Sequence, residues 1–262
     1  MIHIGVTQWC LDRGGVDAVY RAADFGVAAI QIDAGESGVA PFLSNTAVRQ
    51  GYKRAAQATG VKITGIVSNL LNVHGMTNPA GTVQANKCWD AIQMALDAAM
   101  DMDIPLVYLP SFNDGEIRNQ TDLQRTAELL HKACEHVADA NTVVATENTL
   151  GVAGHLALID AVAHPSLRVL IDSLNPVYWG QRPAELLREL WPWVCDQVHA
   201  KDGTNKVMGN ALLGTGEANF EETAETLKSL AFSGYVILEN NYASDFEARL
   251  RTDIATLRQL FE

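Results

Sequence analysis

Short apolar runs alternate with amphipathic stretches along the whole chain. The runs IHIGVTQW (2–9), AAIQID (28–33), VKITGIVSNL (61–70), IPLVYLP (104–110), TVVATE (142–147), LRVLID (167–172), WVCDQVH (193–199) and YVILE (235–239) are rich in β-branched residues. Each is bounded by polar or turn residues, which predicts buried strands. Between them the apolar positions fall at helical spacing. Trp89, Ile92, Leu96 and Ala99 share one face, and Ala127, Leu130, Cys134 and Val137 another. Helices are predicted over 15–25, 45–59, 152–162 and 219–232. Further helices follow Asn78-Pro79, Thr121, Pro183 and Ser244. Their starts are signalled by Asn78 before Pro79, and by Thr121 with Gln124, Asn219 with Glu222 and Ser244 with Glu247.

Eight strands, each followed by a helix, predict an α/β chain folded as a (β/α)8 TIM barrel, one domain over residues 1–262. The other arrangement open to such a pattern is a doubly wound open sheet. The first strand-to-helix turn, QWCLDRGG, lacks the G-x-G-x-x-G fingerprint of that fold.

Composition narrows the function classes. With 48 % hydrophobic and 19 % charged residues the chain can fill a core and carries no disorder signature. A formal net charge of −12 argues against a nucleic-acid backbone or an anionic membrane as partner. The first strand is predicted to start at Ile2, so no signal peptide is expected, and no apolar run approaches the length of a membrane span. Cys10, Cys88, Cys134 and Cys195 are widely and irregularly spaced. That predicts reduced, mostly buried thiols and a cytoplasmic protein.

The last four predicted strands each end in an acid or a histidine: Glu147, Asp172, His199 and Glu239. In a barrel, side chains at the C-terminal strand ends converge on one pocket. Any one of the four could simply cap the next helix. Together, on successive strands and at matching ends, three carboxylates would repel one another in a dry site. A divalent cation removes that penalty. Three oxygen donors and one imidazole suit Mn²⁺ best, with Mg²⁺, Co²⁺ or Zn²⁺ as alternatives.

The same residues carry a resemblance that covers nearly the whole chain. ENT at Glu147, LIDSLNPVYWG at Asp172, VHAKDG at His199, LLGTGEANF at Gly214 to Phe220 and GYVILEN at Glu239 resemble the xylose-isomerase-like TIM barrels. That is the sugar phosphate isomerase/epimerase superfamily, with its D-tagatose 3-epimerases, hydroxypyruvate isomerases and inosose dehydratases. The resemblance implies that Glu147, Asp172, His199 and Glu239 bind one divalent metal, and that Glu147 and Glu239 exchange protons with a carbohydrate substrate. A metal-chelated carbonyl with its neighbouring hydroxyl acidifies the adjoining carbon and stabilises an enediolate. Reprotonation gives epimerisation or isomerisation. Loss of a β-hydroxyl would instead make the enzyme a dehydratase or lyase on a keto-polyol or keto-glycoside.

Trp9, His74, Asn175 and Lys201 are the expected substrate-side residues, and Trp179 is a further loop tryptophan. Lys201 either points into the mouth or pairs with Asp202 on the rim. Asn175 stands where D-tagatose 3-epimerases carry a substrate-binding histidine, a departure that argues against a free ketohexose. Asn148 is placed to orient Glu147. Gly214 and Gly216 resemble a phosphate cradle, or equally a tight turn into Asn219. Glu217 beside them would repel a phosphate, which favours an unphosphorylated substrate. His3, His131, His136, His155 and His164 show no ligand spacing. A repair endonuclease of the same barrel type would need a histidine-rich metal cluster on a basic surface, and the acidic balance opposes it. A non-catalytic sugar-binding barrel would be expected to have lost a ligand. Homo-oligomers are common among soluble enzymes, so self-association stays open with no interface singled out.

Overall fold

A computed structural model describes residues 1–36, 38–39 and 41–261. Eight strands close a barrel in sequence order: β1 (Ile2–Thr7), β2 (Ala29–Asp33), β3 (Lys62–Val67), β4 (Leu106–Ser111), β5 (Val143–Asn148), β6 (Leu167–Asp172), β7 (Val194–Ala200) and β8 (Gly234–Leu238). Among the described residues the helices are α1 (Asp17–Asp24), α2 (Thr46–Thr59), α3 (Val83–Met102), α4 (Gln120–His136), α5 (Val152–Val162), α6 (Asn175–Tyr178), α7 (Pro183–Glu189), α8 (Phe220–Ser229) and α9 (Phe246–Phe261). The predicted (β/α)8 barrel is the fold.

Two compact units divide the chain: residues 1–31, 54–63 and 170–262, and residues 32–53 and 64–169. In the first, β1 lies parallel to β2 and to β8, with Val6 opposite Leu238, and β7 pairs β8 with His199 opposite Ile237. In the second, β4 pairs β3 and β5, and β5 pairs β6. All six residues of β4 are buried, the near-continuous burial expected of a parallel strand covered on both faces.

The helices bury the stripes that the sequence predicts. Ile92, Leu96 and Ala99 of α3 and Ala127, Leu130 and Cys134 of α4 are at most 2 % exposed. Trp89 sits half-buried at the edge of its stripe, with the Lys132 Nζ 3.5 Å from its ring centre. The helix starts differ from the sequence signals. Thr82, not Asn78, caps α3, its Oγ1 accepting from Ala85 N, because residues 79–82 make a turn with Gly81 at positive φ. Asn119, not Thr121, caps α4, its Oδ1 accepting from the amides of Thr121 and Asp122. Asn219 precedes α8 in a left-handed conformation without a side-chain cap, and its Nδ2 donates instead to Glu222. Glu247 of α9 is drawn to Arg21, 2.6 Å away. All four cysteines are free and buried.

Candidate metal and active site

The four strand-end residues come together. Glu147 is the penultimate residue of β5, Asp172 closes β6, His199 is penultimate in β7, and Glu239 follows β8 directly. Each offers one ligand atom, and these atoms lie within 4.8 Å of one another. Glu147, Asp172 and His199 are buried, and Glu239 is half-buried. Three carboxylates at this spacing need positive charge beside them to stay ionised together. The donors, three carboxylate oxygens and an imidazole nitrogen, suit a hard or borderline divalent ion. The residues therefore fit a metal.

Strand pleating explains the local placement. Gln197 and His199 alternate with Val198 and point the same way from β7. The His199 Nδ1 lies 2.9 Å from Glu239 Oε2 and 3.9 Å from Asp172 Oδ2. Its Nε2 lies 2.8 Å from Gln31 Oε1. Asp172 divides its two oxygens. Oδ1 accepts from the amides of Leu174 and Asn175 at 2.6 Å, starting the short helix α6, while Oδ2 faces the cluster.

Lys201 points into the cluster rather than pairing with Asp202. Its Nζ is 2.7 Å from Glu239 Oε2, 3.2 Å from Asp172 Oδ2 and 3.1 Å from Asn175 Oδ1. Asn175, expected to meet substrate directly, has its side-chain carbonyl on this ammonium. The Trp9 indole donates to Glu239 Oε1 at 3.1 Å. Burial alone would raise the Glu239 carboxyl. The charges of Lys201 and His199, with their hydrogen bonds, outweigh it and hold the group well below the ordinary carboxylate range.

The Gly214–Gly216 cradle is filled from within. Asp202, fully buried, accepts from Gly203 N and Ala218 N through Oδ1 and from Gly214 N and Gly216 N through Oδ2, at 2.8–3.0 Å. The amide nest that resembles a phosphate site holds the chain's own carboxylate. Gly216 is required there, since a Cβ would collide with that carboxylate and with the Gly203 carbonyl. Asp253, equally buried, accepts from Leu213 N, Asn240 Nδ2 and Tyr242 OH, and Asn240 Oδ1 accepts from Asp202 N.

A cavity of about 550 Å³, within the size range of small-molecule sites, is lined by Trp9, Lys201, Met208, Glu239, Asn241 and Tyr242 among others. His74 lines a different cleft of about 660 Å³ with Arg49, Lys87, Asp90 and Met94, and none of the four strand-end residues borders it. Trp179 lines neither. Asn148 bonds locally, to Thr146 Oγ1 and Leu150 N. The remaining histidines have local partners. His3 packs on Tyr235, His131 bonds Val162 O, His136 pairs with Asp97, His155 bonds Gly151 O and His164 pairs with Glu135. Sequence reasoning missed Gln31, Gln197 and Asp253. The two glutamines were visible as polar interruptions of apolar strands.

A closed eight-stranded barrel with its ionisable groups gathered at the C-terminal strand ends defines a class, and the chain belongs to it: residues 19–260 match the xylose isomerase-like TIM barrel family. The chain is 34 % identical over 259 residues to the 2-epi-5-epi-valiolone 7-phosphate 2-epimerase of Actinoplanes sp. (strain ATCC 31044 / CBS 674.73 / SE50/110), covering 98 % of this chain and 94 % of that one. The E. coli 3-keto-D-glucoside 4-epimerase has the same fold, with a TM-score of 0.81 at 17 % identity over 99 % of this chain and 100 % of the other. So does a D-psicose 3-epimerase from Clostridium cellulolyticum H10, solved with D-tagatose, with a TM-score of 0.79 at 14 % identity over 99 % of both chains.

Proposed function

We propose that this chain is a divalent-metal-dependent epimerase or isomerase of a polyhydroxylated ketone, a keto-sugar or keto-cyclitol. The observation that carries the reading is the set of four ligand atoms, three of them carboxylate, within 4.8 Å at the strand ends. The 34 % identical relative, named as an epimerase, supports the reaction class. Glu147, Asp172, His199 and Glu239 would hold the ion, with Mn²⁺ the favoured metal and Mg²⁺, Co²⁺ or Zn²⁺ the alternatives. A bound divalent ion would polarise the ketone and its neighbouring hydroxyl, lowering the barrier to proton loss from the adjoining carbon.

The chain's own groups supply the rest. Glu239, kept ionised by Lys201 and His199, is a base at neutral pH, and Trp9 fixes one of its oxygens. Glu147 is the second proton-exchanging group, so that a proton taken from one face can return to the other. Lys201, an ammonium shared among three oxygens, is placed to donate to a substrate oxygen as negative charge develops on it. Trp9 and Lys201 border the cavity and carry the substrate contacts. Asn175 holds Lys201, and His74, bordering its own cleft, is the outermost candidate. A cytoplasmic setting belongs to the same reading and draws on the four buried free thiols. No helix of the described residues is long and apolar enough to cross a membrane.

The test is deuterium entry next to the carbonyl, followed by NMR in D₂O, for metal-loaded protein given a panel of keto-sugars and keto-cyclitols, each with and without a phosphate. Exchange with recovery of the epimer is expected, lost on chelation and regained with Mn²⁺. Release of an unsaturated product would assign the dehydratase or lyase alternative. Undiminished turnover after exhaustive chelation would overturn the metal reading.

A further inference from the structure

We infer that Gln31 and Gln197 form an uncharged relay that keeps a proton on His199 Nε2 and so presents Nδ1 to the carboxylates as the ligand atom; this rests on the metal reading above. Gln31 of β2 and Gln197 and His199 of β7 are all fully buried. Polar groups in a strand interior are costly unless paired, and these three pair in series. Gln31 Nε2 donates to Gln197 Oε1 at 2.9 Å, which turns Gln31 Oε1 toward His199 Nε2 at 2.8 Å. An amide oxygen only accepts, so Nε2 must carry hydrogen. That directs Nδ1 toward Glu239 Oε2 at 2.9 Å and Asp172 Oδ2 at 3.9 Å; in the metal-free site Nδ1 also carries a proton, hydrogen-bonded to Glu239, and it is this proton, not the one on Nε2, that an ion would displace.

The direction of the relay is the substance of the inference. With both amides turned over, the Gln31 nitrogen would donate to Nε2. The imidazole proton would then sit on Nδ1, where it blocks coordination. Partners beyond the metal ligands often orient a ligating histidine, and many are carboxylates. Here a carboxylate would add a further negative charge to a pocket that already gathers three. The amides orient the ring and add none, so Gln31 and Gln197 are positioning residues rather than catalytic ones.

The experiment pairs two readouts that do not depend on turnover. Imidazole ¹H–¹⁵N NMR on wild-type protein, metal-free and zinc-loaded, should show a slowly exchanging proton on His199 Nε2. Calorimetry with Mn²⁺ should show Gln31→Leu weakening binding by about 10- to 100-fold, with faster exchange of the Nε2 proton. Gln31→Glu, which keeps an acceptor, should recover most of that loss, and Gln197→Leu should lose less than Gln31→Leu. An Nε2 without a proton in the wild type, or unchanged Mn²⁺ affinity in folded Gln31→Leu, overturns the relay. Should Gln31→Leu fail to fold, the wild-type resonance and Gln197→Leu decide. A wild type that binds no divalent ion would sink the metal reading, and the Nε2 resonance would still judge the relay.

Discussion

Glu239 and Asp253 are two acids in the same part of the chain with opposite fates. Asp253, fully buried, is held by uncharged donors: a backbone amide, the Asn240 side-chain amide and the Tyr242 hydroxyl. Burial outweighs them, and its carboxyl is pushed up. Glu239 faces an ammonium and an imidazole, and its carboxyl is pushed down. Charged partners at hydrogen-bond distance lower the one carboxyl, and burial among uncharged donors raises the other. Asp202 extends the scaffold side of the contrast, with four backbone amides around one carboxylate.

The sharpest way to break the contrast is to remove charge from each side. Glu239→Gln should cut substrate deuterium exchange at least about a hundredfold, the lower end for loss of a general acid–base, while circular dichroism and the melting curve stay close to wild type. Asp202→Asn should do the reverse. It offers one acceptor to amides that now share two, and should cost about 4 kcal/mol in urea unfolding. A variant as stable as the wild type would remove Asp202 from the scaffold.

Histidines repeat the pattern. His199 faces carboxylates, whereas burial pushes His155 down to about 4. The unfolded chain binds that proton near 6.5 and the native state only near 4, so stability present above pH 6.5 is lost as the pH falls through that window. Urea unfolding should show roughly 3 kcal/mol less stability from this group at pH 4 than at pH 8. A His155→Gln variant with the same acid sensitivity would reject the assignment. The smallest effect is expected from Trp9→Phe, which keeps an aromatic ring and loses the hydrogen bond to Glu239. About a fivefold drop in kcat/KM, or 1 kcal/mol, is the scale of one such bond, and an unchanged value would make the contact incidental.

Most of the barrel was legible from the alternation of apolar runs with amphipathic stretches, and the four strand-end residues because their runs stop at an ionisable group. The caps were not. Whether Thr82 or Asn78 starts α3 depends on the turn between them, and whether Asn119 or Thr121 starts α4 depends on which side chain folds back onto the amides. The relay was half legible. A glutamine inside AIQID or VCDQVH stands out, but its partner lies 166 residues away, and only the closed barrel joins them. The glycines around Asp202 were misleading for a physical reason: backbone amides recognise an anion alike whether it is a phosphate or a side-chain carboxylate.

The indole of Trp9 is attached to the site in a way that gives the protein an optical gauge. Its N–H donates to one oxygen of Glu239, so a cation or ligand arriving at that carboxylate alters the field across the ring, and the emission of Trp9 is expected to move with occupancy. Four other tryptophans add a constant background, and the phenylalanine variant at position 9 subtracts it. Filling of the site can then be followed by fluorescence, ahead of any knowledge of the substrate.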